Sequence, residues 1–395
     1  MDNDSRKNIS VLIRCCLCAG GALGIVNNCI GIYFSPISQA LGVPVGRMSI
    51  IITLLSLATA FFAPVFVRLV RRFPIRFIMT FGVLLDICSF VIMSFAPNIW
   101  VLYAAGVTMG VGCCCFSSLP VTMILREWYG DKIGSVTGIV MAFGGLFGAL
   151  LNPVFSRLIT SMGWNMSLRI QAVILMAIVL PCAMTLRMNP KKVIQTVPRK
   201  VSGMSGKKES VSPKVLLALI LVAVSFSAQN GINTHLSALG VSRGFTLEFS
   251  SVMLSAVYVA NVSFKLIHGW IADRTSPYVS TILCCSIALS GALILLLFAS
   301  TPFMMIAGAF LYGSCFSCST VGTSLLTQRA AGDDYAKVYS RITMFASTSY
   351  ALATSVYGLI RDAAGSYTPS LALVCVFSCC ALFMIMMLYR TEKRA

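Results

Sequence analysis

The sequence predicts an all-α polytopic membrane protein in which twelve transmembrane helices form two six-helix pseudo-repeats. Three observations support this fold class. The chain of 395 residues is 57% hydrophobic and only 11% charged, with a mean hydropathy of +0.88, whereas about a quarter of the residues in a soluble domain are charged. Apolar runs long enough to cross a bilayer recur along the chain, and the second half repeats features of the first.

Twelve apolar runs define the predicted helices, and each is close to the roughly 20 residues that cross about 30 Å of hydrocarbon. They cover residues 9–34, 47–70, 75–96, 98–125, 133–159, 168–187, 214–239, 249–272, 277–300, 303–327, 338–360 and 369–389. The loops between them are mostly short, so neighbouring helices must run antiparallel. No small-residue cleavage site follows the first run, which is therefore expected to stay as a span.

One long polar stretch, residues 188–213, divides the chain into six runs and six. It contains Lys, Ser, Gly and Pro without apolar periodicity, a composition typical of a flexible linker. The sequence therefore predicts an N-terminal bundle (residues 1–187), a cytoplasmic linker (188–213) and a C-terminal bundle (214–395).

A shift of 202 positions brings the two halves into register. Three residue types recur at this shift, namely Arg72 and Arg274, Phe143 and Phe345, and Gly163 and Gly365. The tetrapeptide Ala-Leu-Gly-Val at 40–43 also recurs at 238–241, with a slightly different offset. Parallel six-helix repeats place a substrate path between the halves, near the bilayer midplane.

The net charge of +18 predicts an orientation in the membrane. Positive residues crowd one set of loops, notably Arg68, Arg71, Arg72, Arg76 and the basic residues of the linker. The opposite side carries Arg47, Arg157, Arg169, Arg243 and Arg361. Because cytoplasmic loops are enriched in Lys and Arg, both termini are expected in the cytoplasm, and the charge does not indicate nucleic-acid binding. Short loops favour a cell (inner) membrane protein.

Almost all of the sixteen cysteines fall inside the predicted helices. Adjacent cysteines on a helix point in different directions, so a metal cage is not expected. Cys315 and Cys318 have the spacing of a redox pair but lack the context of a redox fold. Soft apolar packing is the favoured role of these side chains.

Four polar residues share one face of the eighth predicted helix: Tyr258, Asn261, Lys265 and His268. Lys265 is eight residues from Asp273 at the cytoplasmic edge, so it lies about 12 Å into the membrane, where a charge costs roughly 2.5–3.5 kcal/mol on insertion scales. One hypothesis is an anion-binding ammonium. The alternative is pairing with carbonyls of another helix or snorkelling to the headgroups.

Two ionisable residues are proton-coupling candidates. His268 is a candidate because the unperturbed pKa of histidine lies near neutral, although a histidine bonded inside the protein or facing headgroups is equally compatible with its position. Asp86 lies close to the midplane, about 16 Å from the start of the third helix. It is either a proton site or a structural partner of a neighbouring helix.

Other helices also carry polar residues suited to a small hydrogen-bonding solute. The first helix has Asn27 and Asn28, the seventh has Gln229 and Asn233, and the eleventh has Tyr350 in a stripe of Ser and Thr. Hydrogen bonds between packed helices are the alternative role for such residues.

Four stretches carry a resemblance to a known family. They are "GWIADR" (269–274), the glycine-rich fifth run (134–153), Gly163-Trp164 and the sequence "RDAAGSY" (361–367). Together they resemble the major facilitator superfamily of secondary transporters. The sequence "WYGDKIG" (128–134), the cation of the eighth helix and the D-x-x-G-S-Y pattern are most similar to its monocarboxylate and oxalate–formate branch. In animal monocarboxylate carriers an Asp lies four residues before that cation, where this chain has Asn261.

The resemblance implies a cavity lined by helices one, seven, eight and eleven. It also implies a gate at the cytoplasmic loops in which Asp273, Arg274 and Arg72 latch the outward-facing state, with Gly269 beside them. The substrate-binding residues it favours are the polar ones above, centred on Lys265.

Together these patterns predict a secondary transporter, symporter or antiporter, that moves a small organic anion such as a monocarboxylate by alternating access. A proton or a counter-anion is the expected partner, no cofactor is expected, and the chain is expected to be a monomer. The sequence lacks a G-x-x-x-x-G-K-[ST] loop, a nucleophile constellation and a metal-ligand cluster, so we expect neither ATP-driven pumping nor an enzyme. An exporter of drugs or amphipathic compounds is the alternative, and a membrane sensor without transport is a third.

Overall fold

The structure, a computed structural model, describes residues 3–129, 133–188, 211–298 and 301–394. The N-terminal half contains α1 (Asn8–Leu41), α2 (Val45–Val70), α3 (Ile75–Ser94), α4 (Ile99–Tyr129), α5 (Val136–Met162) and α6 (Trp164–Thr185). The C-terminal half contains α7 (Pro213–Ser242), α8 (Leu247–Arg274), α9 (Pro277–Leu297), α10 (Pro302–Ala331), α11 (Tyr335–Ala364) and α12 (Thr368–Glu392).

Within these described ranges, eleven helices are long and apolar enough to cross a membrane. The remaining helix, α11, has 30 residues. It is about 45 Å long at the helical rise and therefore long enough to span, but its stripe of Ser, Thr and Tyr lowers its hydropathy. The predicted twelve-helix membrane fold is confirmed. The predicted first run ended at residue 34, whereas α1 continues to Leu41.

Local signals in the sequence explain where several helices begin. The side chains of Asn98, Thr246, Ser276 and Thr301 accept hydrogen bonds from the first-turn amides of α4, α8, α9 and α10. Such caps satisfy donors that have no partner within the helix. Proline stands at the first position of α7, α9 and α10, where its missing N–H costs nothing.

Matching helices of the two halves are interrupted at matching places. A π-helical stretch (Gly20–Asn28) and a 3₁₀ turn (Ile30–Tyr33) interrupt α1, and a 3₁₀ turn (Gly231–His235) interrupts α7. The α-helical geometry also breaks at Ser117 in α4 and at Cys318–Gly322 in α10. Such distortions often occur at functional sites.

The backbone also repeats at the 202-residue shift. Gly163 and Gly365 both have positive φ, at 83° and 70°. Gly42 and Gly244 form a second such pair, at 62° and 86°. The match of Ala-Leu-Gly-Val at 238–241 was therefore not the equivalent position, because Gly240 lies inside a helix.

The two halves contact each other mainly where α5 meets α8 and where α2 meets α11.

Of the predicted linker 188–213, residues 189–210 lie outside the described residues, so its boundaries stay a prediction. Gly130, Asp131 and Lys132 of the "WYGDKIG" stretch also lie outside them.

Candidate functional site

A cavity of about 960 Å³ lies between the two halves. Its walls come from α1, α2 and α4 of one half and from α7, α8, α10 and α11 of the other. It reaches Ala63 late in α2, Leu119 late in α4 and Tyr339 early in α11. These three positions lie toward the face that carries both chain termini, so the cavity opens on that face.

The described residues that line this cavity include no Asp, Glu, Lys, Arg or His. Its polar groups are amides and hydroxyls, among them Asn27, Asn28, Ser227, Asn230, Asn233, Tyr258, Ser319, Thr320 and Tyr350. Between them lie apolar side chains such as Leu23, Leu55 and Phe316. The cavity therefore offers hydrogen bonds to a solute without a fixed charge in its wall.

Hydrogen bonds to the backbone and to cysteines hold the asparagines of α1 at the wall. Asn27 Nδ2 donates to the carbonyl of Ala22 at 2.8 Å and lies 3.3 Å from Cys113 Sγ. Asn28 Nδ2 donates to the carbonyl of Gly144 at 3.0 Å. Both residues thus line the cavity.

The equivalent place in α7 has the same pattern. Asn230 Nδ2 donates to Ser319 Oγ at 2.8 Å, and its Oδ1 accepts from Cys315 Sγ at 2.9 Å. Asn233 Nδ2 lies 3.4 Å from Asn230 Oδ1. The polar residues predicted on α7 did not include Asn230, although the shift of 202 positions takes Asn28 to it.

Gln229 does not reach the cavity. It is fully buried inside the C-terminal half, and neither atom of its amide has a hydrogen-bond partner in the described structure. Its backbone carbonyl accepts a bond from Tyr312 Oη at 2.6 Å. Of the two polar residues predicted on α7, Asn233 therefore lines the cavity and Gln229 lies in the protein interior.

The polar stripe of α8 divides in the same way. Tyr258 lines the cavity, and its hydroxyl donates to the carbonyl of Asn28 at 3.2 Å. Asn261 is buried beside Gly145 of α5. His268 is fully buried, with its ring nitrogens 3.2 Å from Ser317 Oγ and from Thr281 Oγ1, so it packs among α9 and α10.

Lys265 is half-buried on α8, about 10 Å along the helix from Tyr258 toward the open face. It is not among the residues that line the cavity. In the part of the chain that the structure describes, its ammonium has neither an ion-pair partner nor a hydrogen bond.

Lys265 lies where α5 and α8 separate. Val262 of α8 packs directly on Gly145 of α5, whereas a Cβ added to Gly138 or Gly269, nearer the open face, would meet no atom within 4 Å. The contact between α5 and α8 at Val262 is therefore tight, whereas neither glycine nearer the open face has a neighbour packed against it.

The predicted gate residues stand apart in this conformation. Arg72, Asp273 and Arg274 are exposed, and none of them forms an ion pair within the described ranges. The Arg274 guanidinium instead stacks on the Trp270 ring at 4.0 Å. Gly269 is half-buried in the preceding turn.

Asp86 is fully buried on α3, away from the cavity. It packs against Gly112 of α4, and neither carboxyl oxygen has a hydrogen-bond partner in the described residues. Among the same residues, no group of three His, Cys, Asp or Glu side chains is placed to hold a metal.

The end of the interface opposite the open face is sealed by contacts that sequence reasoning did not find. The Asp362 carboxylate of α11 accepts a 2.9 Å bond from the amide of Gly46 in α2 and a 3.0 Å bond from Arg361. Thr53 Oγ1 lies 2.5 Å from the carbonyl of Ala351 and 2.6 Å from Ser355 Oγ.

Two further contacts close the same end. His235 meets Phe34 of the other half edge-on at 5.6 Å, and its ring nitrogens lie 2.8 Å from the carbonyl of Thr354 and 3.3 Å from Tyr367 Oη. Ser156 of α5 and Ser251 of α8 are joined by a 2.9 Å hydrogen bond. The only sequence signal for this seal was the D-x-x-G-S-Y pattern that contains Asp362.

Two six-helix halves around a central cavity that is open at one end and sealed at the other define a membrane transporter. The family model of the Major Facilitator Superfamily matches residues 16–354 and 248–395. The chain belongs to this superfamily.

Curated relatives include monocarboxylate transporters. The chain is 24% identical to human monocarboxylate transporter 10 over 388 residues, which cover 90% of this chain and 73% of that one. It is 30% identical to human monocarboxylate transporter 7 over 173 residues, 42% of this chain and 33% of the relative. It is 23% identical to MFS-type transporter 1 of Ophiocordyceps sp. (strain BCC 1869) over 258 residues, 62% and 55% of the two chains. This chain therefore covers about a third of the length of monocarboxylate transporter 7 and about half of the length of MFS-type transporter 1.

Solved transporters share the fold. The nucleoside transporter NupG superposes with a TM-score of 0.74 at 14% identity, covering 98% of this chain and 99% of that one. A bacterial homologue of the human lysosomal transporter Spinster, in an inward-facing and unoccupied conformation, gives a TM-score of 0.72 at 14% identity, covering 97% of each chain.

Proposed function

We propose that this transporter moves a small organic anion, such as a monocarboxylate, by alternating access around the central cavity. The observation that carries the proposal is Lys265, a half-buried ammonium without a partner in the described structure, beside a cavity whose described wall has no carboxylate. The relatives named monocarboxylate transporters support the same substrate class.

Electrostatics favours an anion at this place. A unit charge 4 Å from the ammonium gains about 4 kcal/mol at the effective dielectric near a protein surface, and acidic side chains of the wall would oppose that gain. Tyr258 lies about 10 Å away on the same helix. Further along this helix Tyr258, together with Asn28 of α1, offers hydrogen bonds to a solute that moves inward from Lys265.

The direction in which the cavity opens fits one half of a transport cycle. If both termini lie in the cytoplasm, as the distribution of Lys and Arg predicts, the cavity is open to the cytoplasm. The separation of Asp273 from Arg72 then matches a latch that closes only in the outward-facing state. An Asp273→Asn variant should lower transport more than solute binding, and equal loss of both would contradict this role.

Uptake into proteoliposomes tests the anion proposal. Labelled lactate, pyruvate and acetate are offered to the wild type, Lys265→Ala, Lys265→Arg and the control Lys214→Ala, which removes an exposed lysine at the start of α7. We expect Lys265→Ala to lower uptake at least tenfold, Lys265→Arg to keep part of it and Lys214→Ala to match the wild type. Anion uptake that is unchanged in Lys265→Ala would refute the role of Lys265.

Export of uncharged amphipathic solutes is the second candidate function. It is favoured by the absence of fixed charge among the described wall residues and by the apolar patches at Leu23, Leu55 and Phe316. Efflux of a neutral amphipathic dye that is independent of Lys265, together with no carboxylate flux, would select this function. No flux of either solute class would favour a membrane sensor.

We infer in addition that the protein acts as a monomer in a cell (inner) membrane, driven by a proton or counter-anion gradient. Short loops and the absence of an ATP-binding loop in the sequence support this. Reporter fusions at both ends would test the orientation, and a periplasmic or extracellular terminus would overturn it. Light scattering of the detergent-solubilised protein would reveal a stable oligomer.

A further inference from the structure

Asp86 stands out among the ionisable groups that the proposed solute path does not use. It lies in the middle of α3, where that helix crosses α4 in direct backbone contact: Gly82 faces the carbonyl of Gly112 and the side chain of Cys115. One turn further along α3, the Asp86 carboxyl packs against Gly112. The side chain has no exposed surface, and neither oxygen has a hydrogen-bond partner in the described structure.

A carboxylate in this position would be strongly disfavoured. Removing an ionised group from water costs several kcal/mol unless a counter-charge or several hydrogen bonds replace the water. The groups that face Asp86 from α4 are the thiols of Cys113 and Cys115.

On its own helix the nearest basic residue is Arg76, ten residues away. Arg169 of the neighbouring α6 stacks on Phe95 at the sealed end. Nothing in the described surroundings supplies a positive charge, so the neutral acid is the stable form here.

A short chain of contacts leads from Asp86 to the cavity. Gly112, which touches the carboxyl, is followed on α4 by Cys113 and Cys114, and both cysteines line the cavity. Cys113 Sγ lies 3.3 Å from Asn27 Nδ2 and 3.6 Å from the carbonyl of Ala22. The α-helical geometry of α4 breaks at Ser117, one turn beyond Cys113.

We propose that Asp86 is the proton-binding site of the transport cycle. It holds a proton on its carboxyl in the conformation described here. When α4 moves relative to α3, cavity water reaches the carboxyl, the O–H bond breaks, and the proton passes to that water. A solute that displaces Asn27 moves Cys113 and thereby links binding to this movement. The coupling part of the inference rests on the proposed transport of an organic anion.

Infrared difference spectroscopy tests the proton itself without any solute. The spectrum of the wild type minus that of Asp86→Asn, both in lipid at neutral pH, should contain the carbonyl band of a protonated carboxylic acid. The matched control Asp334→Asn, which changes an exposed carboxylate, should give only carboxylate bands. Carboxylate bands alone for Asp86 would overturn the proposal.

Chemical labelling decides the same point if Asp86→Asn does not fold. A hydrophobic carbodiimide reacts with protonated carboxyls, so peptide mass spectrometry of the wild type should find the adduct on Asp86, with less of it as the pH rises. A fully folded protein without this adduct at any pH would contradict a protonated Asp86.

Lactate transport in liposomes then tests coupling. With an imposed pH gradient, Asp86→Asn should fail to accumulate lactate above equilibrium, while lactate exchange at equal pH stays within about twofold of the wild type. Gradient-driven accumulation by the variant, or loss of exchange as well in a folded variant, would overturn the coupling role. A wild type that carries no carboxylate would refute the proposed function, and the infrared band would still show whether Asp86 binds a proton.

Discussion

The two halves of the molecule share a scaffold but differ in the acidic and basic residues of their membrane-spanning helices. At the shift of 202 positions, Asn28 corresponds to Asn230 and Cys113 to Cys315, and in both halves an asparagine contacts a cysteine at the cavity wall. The positive-φ glycines and the helix interruptions also match.

The residues with acid–base chemistry have no such counterparts. Lys265 corresponds to Ala63, His268 to Phe66 and Asp86 to Ala288. The repeat therefore accounts for the shape of the cavity and its neutral polar wall, whereas Lys265, His268 and Asp86 each occur in one half only. Selectivity for the charge of the substrate and coupling to an ion should therefore depend on single residues. The stability of the scaffold should depend on pairs of residues related by the repeat.

Loss of the Asp362 carboxylate should have the largest effect among the variants that test this contrast. Asp362 corresponds to Thr160 in the N-terminal half, so this acid of the seal has no acidic counterpart. Asp362→Ala removes a charge-assisted bond to the Gly46 amide, worth about 1.5–3 kcal/mol, and should increase opening of the sealed end by about tenfold to a hundredfold.

Hydrogen-exchange mass spectrometry of residues 45–49 measures this opening. Faster exchange confined to the start of α2 and its partners is the expected result, with Asp334→Ala as the unchanged control. Equal protection in Asp362→Ala and the wild type would show that the small-residue contacts seal this end without the carboxylate.

Tyr33 and His235, which correspond at the same shift, test a pair with different chemistry. Tyr33 Oη lies 2.8 Å from Ser167 Oγ and 2.9 Å from Gln171 Oε1, and His235 bonds to α11 and Tyr367. Each change to Phe leaves buried polar groups unpaired and should lower the free energy of unfolding by about 1–3 kcal/mol.

Thermal unfolding in detergent compares the two variants. Similar losses would indicate that the pair serves the scaffold, as the repeat suggests. A loss confined to His235→Phe would instead give this residue a role in the seal that its counterpart lacks.

The repeated glycines test the backbone part of the comparison, and their expected effects are limited to stability. Gly163 has φ 83° and ψ 159°, a region that is almost exclusive to glycine, so Gly163→Ala should cost about 1–3 kcal/mol. Gly365 has φ 70° and ψ 0°, where alanine costs about 1 kcal/mol. Melting temperatures should therefore fall more for Gly163→Ala, with Gly138→Ala, a helical glycine in open space, as the control. The reverse order would contradict the backbone comparison.

The fold was predictable because each membrane-spanning helix can be recognised from the hydropathy of its own residues, without knowledge of its neighbours. The site was predictable only in part. Periodicity indicated that Tyr258 and His268 share a face of α8, but a helix of 28 residues meets different neighbours along its length, so one reaches the cavity and the other meets α9 and α10. The bond between Gly46 and Asp362 joins residues 316 positions apart, and no local pattern in the sequence reports such a contact.

The polarity of α11 has a consequence for how the protein is made. Its Ser, Thr and Tyr stripe leaves it outside the eleven described helices that are apolar enough to span alone, so partition into lipid would hold it only weakly as it leaves the ribosome. Its hydroxyls bond to earlier helices, as Ser349 Oγ does to the carbonyl of Val224 in α7 at 2.9 Å. We therefore expect α7 to assist the insertion of α11, which would make the C-terminal half a unit of biogenesis as well as of structure.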